Sequence, residues 1–467
     1  MYITRSDAHR AKKTRKKRKI RMLLTVNLIM LAIIIGLGGL YLANQRSESP
    51  QEANAVQDTN AGTVAKPDDS PEGDGADQTG TEETVEPEDA ATNHPAEDTE
   101  TGTTSPATNE GAGANKEQPS SDKNGDGQDH PAVTKKPVTD NKIQAVLPEG
   151  DGLLFSFVGD IQMSGKVDEI MRKNGYDFPF QYAKSLFQKD DLTVANLETP
   201  ITVGGLAETD KQFVFKSSPD SAAALHNAGI DVVTLANNHV LDQGVSGLKD
   251  TIQHLDSANV QHVGAGNNDD EAYTIKYVER KGKRVAILGF SRVVPKASWK
   301  AGPKNAGVAE TYNSTKAVAQ IKEARKQADI VIVMVHWGIE KAETPNQIQK
   351  QLAHEYVDAG ADLVIGSHPH VLQGMEQYKG KWIAYSLGNF IFTRSTNPMT
   401  WETAVLQVTY NSDGSYALKL IPYHANLGQA VPMDEANGSK LLQRVSGLSQ
   451  SMGAGIRNDG LVGTITR

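Results

Sequence analysis

The stretches IVIVMVHWG (330–338) and DLVIGSHPH (362–370), with NQIQKQLAHEYVDAG (346–360) between them, decide the fold of this 467-residue chain. The two outer stretches are short apolar runs, which are typical of fully buried β-strands. The stretch between them has helical spacing and ends in Gly360, a common helix stop. Strand, helix and strand in this order predict an α/β domain built largely on parallel strands.

The same alternation extends over most of the second half of the chain. Further strands are predicted at LLFSFVG (153–159), LTVANLE (192–198), VVTLANNH (232–239), RVAILGF (284–290) and WIAYSLGNF (382–390). PDSAAALHNAG (219–229) predicts a helix, and TAVLQVTY (403–410) with SYALKLIPY (415–423) predicts a β-hairpin that turns at Asp413-Gly414. We therefore assign residues 147–425 to one α/β domain and residues 426–467, of mixed helical and Gly-rich character, to a C-terminal extension.

The N-terminus has the pattern of a membrane anchor. Residues 1–21 carry ten Lys/Arg against one acid and predict a basic cytoplasmic tail, while 22–44 are uncharged and long enough to cross a bilayer as one helix. Because Lys and Arg stay on the cytoplasmic side, the folded domain is expected outside the cell. A cleaved signal peptide is the alternative, but the apolar run is longer than usual and Tyr41-Leu42-Ala43 is a poor cleavage signal.

Residues 45–146 predict a disordered acidic linker. Within them, 46–140 carry 22 Asp/Glu against six Lys/Arg and almost no large apolar residues, so little surface could be buried to offset the entropy of ordering. The net acidity of the chain therefore belongs to a tether. The basic run at 1–21 lies against a membrane span and is interpreted as a topology signal, so no nucleic-acid partner is expected. The chain has no Cys, which excludes disulfides, thiolate nucleophiles and Cys-ligated zinc.

Polar side chains follow the predicted strands, where ligands gather in open α/β sheets. They are two carboxylates, three Asn and four His: Asp160, Glu198, Asn237, Asn238, His239, His336, His368, His370 and Asn389. Taken singly, Asp160 could be a helix N-cap, Asn237-Asn238 a turn and His336 a packed histidine. His368-Pro369-His370 favours a metal, because two imidazoles on a stiff turn can face one ion.

Carboxylate, amide oxygen and imidazole form a mixed oxygen and nitrogen ligand set. Such a set suits a divalent metal (Mn, Fe, Zn or Mg), and its size could serve one or two ions. Two ions can activate water and clamp the oxygens of a transferring phosphoryl group. A spare histidine beside them could protonate the leaving group.

Six motifs occur in an order that resembles the CapA family of bacterial capsule-synthesis proteins associated with poly-γ-glutamate. They are GDIQMSG (159–165), NLETPIT (196–202), ANNHVLDQG (236–244), HWGIE (336–340), GSHPHVLQGME (366–376) and SLGNF (386–390). The resemblance covers roughly residues 150–425. It implies a membrane-anchored part of a polyglutamate synthesis and export complex, with capsule synthase and export subunits as partners and the anionic polymer as a possible ligand.

The CapA domain is in turn similar to the calcineurin-like metallophosphoesterases, which implies a β-sandwich flanked by helices with metal ligands on strand-end loops. By this resemblance Asp160 binds the first ion and Glu198 takes the place of the bridging carboxylate. Asn238 and His239 resemble the pair that holds the second ion and donates a proton, so His239 is the candidate catalytic residue. The remaining ligands would be His336, His368 and His370.

The sequence departs from the phosphoesterase pattern at two positions. Gln162 stands where the first motif has His, and Glu198 replaces the bridging Asp. Three hypotheses remain open. The chain is an accessory subunit of capsule polyglutamate synthesis or export, a membrane-tethered phosphoesterase acting on a cell-envelope phosphate ester, or a non-catalytic structural subunit on the same fold.

Overall fold

The computed structural model describes residues 143–144 and 152–465. The predicted tail (1–21) and membrane span (22–44) lie outside this part, as does the linker (45–146) apart from residues 143–144. Among the described residues, none of the helices has the length and apolar character needed to span a membrane. The proposed anchor therefore stays a prediction from the sequence.

The described residues alternate strands and helices as the sequence predicted. The strands are β1 (Ile143–Gln144), β2 (Leu153–Ile161), β3 (Leu192–Leu197), β4 (Val232–Thr234), β5 (Gln261–Val263), β6 (Ala265–Gly266), β7 (Lys276–Arg280), β8 (Lys283–Ser291), β9 (Gly307–Val308), β10 (Ile330–His336), β11 (Leu363–Ser367), β12 (Met375–Tyr378), β13 (Lys381–Ala384), β14 (Asn389–Ile391), β15 (Glu402–Tyr410), β16 (Tyr416–Ala425), β17 (Ala430–Pro432), β18 (Ala454–Ile456) and β19 (Leu461–Ile465). The helices are α1 (Lys166–Asn174), α2 (Lys184–Phe187), α3 (Asp220–Ala228), α4 (Gly244–Ser257), α5 (Asp269–Ala272), α6 (Thr315–Gln327), α7 (Gln347–Ala359) and α8 (Glu435–Ser449), with 3₁₀ turns at Phe178–Phe180, Ala297–Trp299, Pro398–Trp401 and Gln450–Met452.

Two large sheets organise the strands. The first runs β1-β19-β16-β15-β2-β3-β4-β5, with β14 beside β2, and the second runs β12-β13-β11-β10-β8-β7. Each sheet contains a set of parallel strands. In the first sheet the set comprises β2, β3, β4, β5 and β14, and in the second it comprises β8, β10, β11 and β13. The carboxyl ends of each parallel set therefore share one edge of their sheet.

The apolar side chains form three clusters, because successive residues of a strand point to opposite faces of its sheet. Phe157 and Val194 of the first sheet pack in one cluster with Ile287 and Ile332 of the second, so the two sheets face each other. Side chains on the outer faces pack in separate clusters with helices, α3 and α4 on the first sheet and α6 and α7 on the second. The mixed α/β fold predicted from the sequence is confirmed.

Two helix ends follow the local signals in the sequence. In α7, Asn346 accepts from the backbone of Gln349, whose side chain in turn accepts from Asn346, which completes a capping box. Gly229 ends α3 in the left-handed region at φ 96°, where glycine is favoured.

Three segments differ from their sequence assignments. WIAYSLGNF (382–390) is not one strand, because β13 pairs with β11 in the second sheet while β14 pairs with β2 in the first. The chain changes sheets at Gly388, whose φ of 69° suits glycine. Within 426–465, β19 pairs with β16 and joins the first sheet, and its partner β1 comes from residues assigned to the linker. Pairing with neighbouring strands, rather than local composition, determines where these segments lie.

Candidate metal centre

Glu198 is the centre of the site. It follows β3 directly, and its backbone N–H donates to Ile161 O of the neighbouring strand at 2.9 Å. Its side chain is fully buried, yet neither carboxylate oxygen accepts a hydrogen bond from the described residues. Burying a carboxylate without a partner is unfavourable, so this position calls for a bound cation or proton.

His368 and His370 approach Glu198 from the loop after β11. Ligand atoms of these three residues lie within 4.8 Å of one another, and His370 Nε2 is 4.0 Å from Glu198 Oε1. The backbone φ angles of His368 and His370 are 94° and 58°, in a region that non-glycine residues rarely adopt. Such strained backbone clusters at functional sites, and here it occurs at the two residues whose imidazoles approach Glu198.

His336 and Asn238 approach Glu198 from another direction. His336 ends β10 and is fully buried, with Nε2 3.6 Å from Glu198 Oε1 and 3.0 Å from Asn238 Oδ1. Its ring centroid lies 4.7 Å from that of His368. Glu198 therefore stands where the His368–His370 pair and the His336–Asn238 pair meet.

Asp160, near the end of β2, lies beside His370. Its Oδ2 is 3.2 Å from His370 Nδ1, and its Oδ1 accepts from Asn196 Nδ2 at 2.8 Å. Asn389 Oδ1 also lies 2.8 Å from His370 Nδ1. The structure thus brings together all six predicted ligands, three from loops and strands of each sheet.

A network of asparagines positions this group. Asn196 Nδ2 lies 3.3 Å from His336 Nδ1, and Asn196 Oδ1 accepts from Asn237 Nδ2 at 3.1 Å. Asn237 also donates to Leu197 O and accepts from the backbone of His239. Sequence reasoning missed Asn196, although its place two residues before Glu198 in the NLETP motif on a buried strand was a usable signal.

His239 has an environment of its own beside the ligands. Its Nδ1 lies 2.7 Å from Asp242 Oδ2, and Lys211 Nζ donates to Asp242 Oδ1 at 2.5 Å and to Asn238 O at 2.6 Å. The ring of Phe215 stacks on the imidazole at 4.1 Å. Asp242 fixes Nδ1 of His239, which leaves Nε2 to exchange a proton. Sequence reasoning missed Asp242, whose i+3 spacing from His239 was a signal, and Lys211, for which the sequence offers none.

Gln162, in the first of the six motifs, does not supply an imidazole. Its Nε2 donates to Ser164 Oγ at 2.5 Å, and its buried Oε1 has no hydrogen-bond partner among the described residues. An amide oxygen is a weaker ligand than imidazole for Mn, Fe or Zn. Gln162 therefore adds no nitrogen ligand to the centre.

Burial and mutual proximity shift the ionisation of the whole group. Burial, with the nearby charge of Asp160, raises the pKa of Glu198 well above its ordinary value. Burial lowers the pKa of His336 and of His368 well below theirs, and the neighbouring imidazoles lower it further. Burial also acts to lower the pKa of His370, but the carboxylates of Glu198 and Asp160 outweigh it and raise that pKa to about 10.

These features fit a divalent metal. Within the part of the chain that the structure describes, the buried oxygens Glu198 Oε1, Glu198 Oε2 and Asp160 Oδ2, and the buried His368 Nδ1, have no hydrogen-bond partner. Neutral imidazoles are the form that binds metals, and the low pKa values of His336 and His368 keep them neutral.

The sequence matches a family model described as bacterial capsule synthesis protein PGA_cap over residues 154–394. The chain belongs to this family. The matched range contains all six candidate ligands and His239.

Two relatives match this chain over most of their own length. The PGA biosynthesis protein CapA of Bacillus subtilis (strain 168) is 36% identical over 285 residues, which cover 61% of this chain and 74% of that protein. The capsule biosynthesis protein CapA of Bacillus anthracis is 33% identical over 323 residues, covering 67% of this chain and 78% of that protein.

A likeness to solved structures is weaker. The 5′-nucleotidase of Candida albicans SC5314 aligns with 61% of this chain and 54% of its own, at 14% identity and a TM-score of 0.34. These values are too low to support an inference about this chain.

Proposed function

We propose that this PGA_cap protein is an accessory protein of capsule poly-γ-glutamate synthesis or export, and that its divalent-metal centre engages the polymer. Family membership and the names of the two CapA relatives support the role in capsule biosynthesis. The proposal includes a single N-terminal membrane anchor (22–44), a folded domain outside the cell and partners among the synthase and export subunits.

The observation that carries the metal centre is the buried, unpaired carboxylate of Glu198 among three histidines. Glu198, His368 and His370 would hold one ion, with Asp160 beside it. Asn238 and His336 could hold a second ion that shares Glu198. Because three of the six ligands are imidazoles, Mn²⁺, Fe²⁺ or Zn²⁺ suits the centre better than Mg²⁺.

The chain's own residues prepare the centre for an anion. A bound divalent cation would bind carboxylate oxygens directly. Asn196 and Asn237 hold the ligands in place, and His370 carries a proton when no ion is bound. Without a bound ion the centre lacks this binding partner for the carboxylates of polyglutamate, so we expect the polymer to bind only when the ion is present.

Elemental analysis of the purified full-length protein tests the centre. We expect near-stoichiometric Mn, Fe or Zn in the wild type and its loss in the His368→Ala/His370→Ala variant. The variant His226→Ala/His254→Ala removes two helix histidines outside the site and should keep the metal. A wild type without metal after incubation with excess divalent ions would refute the ligand assignment.

The cellular role is tested in a capsule-forming host whose own gene is replaced by this one. Polyglutamate production should be restored by the wild type and by His226→Ala/His254→Ala, and lost with Asp160→Ala. Protease added to intact protoplasts should digest the folded domain if it lies outside the membrane. Full polymer production by the Asp160→Ala variant would leave a structural role as the remaining explanation.

A second candidate function, phosphoester hydrolysis, is favoured by the arrangement of His239. Asp242 fixes its Nδ1, and burial lowers its pKa, so a neutral imidazole faces the centre as a potential proton carrier. Metal-dependent hydrolysis of a phosphodiester by the full-length protein, lost in His239→Gln without loss of metal, would establish this activity. Absence of hydrolysis with metal bound would leave the polymer-binding role.

A further inference from the structure

Three cations lie at the carboxyl edge of the sheets. Arg292 follows β8, Lys341 lies in the loop after β10, and Arg394 lies in the loop after β14. Within residues 152–465, no ion pair joins any of the three to a carboxylate. We call these residues the cationic rim.

Each member of the cationic rim is tied to the metal centre by a neighbouring contact. The backbone N–H of Arg292 donates to His336 O at 2.7 Å. That of Lys341 donates to Pro369 O, between the two loop histidines, at 2.8 Å. Phe392, two residues before Arg394, packs against His370 with ring centroids 5.0 Å apart. The rim therefore approaches the centre from three different loops.

Aromatic rings position the two guanidinium groups. Arg292 lies over Tyr312 at 3.9 Å from the ring centroid, and Arg394 over Trp401 at 4.2 Å. A guanidinium held by its face against a ring keeps N–H groups on its edge free. Those groups match the two oxygens of a carboxylate, which makes both arginines suited to bind one.

Nearby acids are largely occupied by other cations. Glu208 pairs with Lys296 at 2.7 Å, Glu310 with Lys300 at 3.7 Å and Glu343 with Arg444 at 2.8 Å. The exposed Glu340, next to Lys341, is the acid closest in sequence to the rim. Three cations around a metal centre form a surface for a ligand with several negative charges.

We infer that the cationic rim binds carboxylates of a polyglutamate chain on both sides of the one that is held at the metal centre. This inference rests on the proposed function and adds a length requirement to it. The metal engages one carboxylate of any glutamate ligand, whereas Arg292, Lys341 and Arg394 engage carboxylates further along an extended chain. Affinity should therefore rise with ligand length and fall with salt.

The test uses full-length protein in detergent, loaded with Mn²⁺, and two fluorescent ligands: a γ-linked glutamate decamer and a γ-linked glutamate dimer. The variant Arg292→Gln/Lys341→Gln/Arg394→Gln should bind the decamer about tenfold more weakly, since each exposed ion pair contributes little alone. Its dimer affinity should change less than about twofold, and the salt dependence of decamer binding should become shallower.

The matched control removes three exposed lysines from helices, Lys173→Gln/Lys322→Gln/Lys440→Gln, for the same change in net charge. It should bind both ligands like the wild type. Metal content and thermal unfolding are measured for both triple variants. Loss of metal or of folding in the rim variant would show a structural role and overturn the inference.

The outcomes separate the inference from the proposed function. If the wild type binds neither ligand with Mn²⁺, the proposed polymer-binding function fails. If it binds the decamer and both triple variants bind it equally well, only the rim is wrong. Tighter binding of a ten-unit polyphosphate, lost in the rim variant, would overturn the assignment to a carboxylate polymer.

Discussion

The two edges of the sheets use acidic residues in opposite ways. At the amino edge, Asp191, Asp231, Asp329 and Asp362 immediately precede β3, β4, β10 and β11. Each accepts a hydrogen bond from a backbone N–H of the adjacent strand: Leu154 at 2.8 Å, Thr193 at 2.8 Å, Arg284 at 2.9 Å and Val331 at 2.8 Å. These carboxylates align the starts of neighbouring strands.

The amino-edge carboxylates also pair with cations, whereas Glu198 at the centre of the carboxyl edge does not pair with a Lys or Arg of the described residues. Asp191 pairs with Lys281, Asp231 with Arg280, Asp329 with Lys283, and Asp362 with both Arg325 and Lys381. Among the described residues, Glu198 at the carboxyl edge has no hydrogen-bond donor, and no carboxylate pairs with the nearby rim cations. A satisfied acid indicates a structural role, and a buried unsatisfied one indicates a ligand.

The largest effect is expected from Asp362→Ala at the amino edge. Asp362 is buried, accepts a hydrogen bond from Val331 N and pairs with Arg325 and Lys381. Its removal therefore leaves a backbone donor and two cations without their partner. The free energy of unfolding, measured in urea, should fall by about 3 kcal/mol. Asp358→Ala, at an exposed helix position, is the control. A loss below about 1 kcal/mol would contradict the structural role of this edge.

Glu198→Gln should act in the opposite direction. In metal-free protein it removes a buried carboxylate that no described residue donates to, so stability should stay the same or rise by about 1 kcal/mol. The same variant should lose bound metal in elemental analysis. A fall in stability comparable to that of Asp362→Ala would show that Glu198 is structural and would remove the difference between the edges.

Asp190, beside Asp191, sharpens the comparison through pH. Burial raises its pKa to about 7, above the ordinary 3.8, although Thr193 Oγ1 donates to it. A folded-state pKa above the unfolded value means that the fold favours the protonated form, so Asp190 lowers stability as pH rises from about 4 to about 7. Asp190→Asn should abolish this decline in the free energy of unfolding. Because Asp190 is partly exposed to solvent, we expect the decline to amount to about 1 kcal/mol. If the free energies of unfolding of the two proteins change in parallel with pH across this range, the assignment is contradicted.

The smallest effect is expected from Arg280→Gln. Arg280 is half-buried, donates from Nε to Asp191 O at 2.6 Å and pairs with Asp231 at 3.1 Å. Partly exposed ion pairs contribute little, so the free energy of unfolding should fall by about 0.5–1 kcal/mol. A loss as large as that of Asp362→Ala would mean that the solvent exposure of an amino-edge contact does not determine how much it contributes to stability.

Local patterns were sufficient to predict most elements of the fold. Apolar runs predicted strands, Gly229 and Gly360 predicted helix ends, and Asp413-Gly414 predicted the turn between β15 and β16. They failed at 382–390, where a continuously buried segment crosses from one sheet to the other at Gly388. Periodicity reports burial, and both halves of this segment are buried, so the run carries no sign of the change.

The site was predictable to the extent that its residues follow strands. Asp160, Glu198, Asn238, His239, His336, His368 and His370 all come from strand ends or the loops after them, which the sequence displays. Asn196 lies within a strand and Lys211 within a long loop, so neither stood out. Their roles depend on side chains that reach them from elsewhere, such as His336 and Asp242.

By itself the sequence determined which segments are strands, which polar residues follow them and which family the chain resembles, because these depend on neighbours along the chain. Only the tertiary structure decided that Asp160 and Glu198 of one sheet meet His336, His368 and His370 of the other. Asn196 and His336 touch across 140 residues of sequence. Contacts of that range are set by strand pairing and by packing between sheets, and neither leaves a trace in local periodicity.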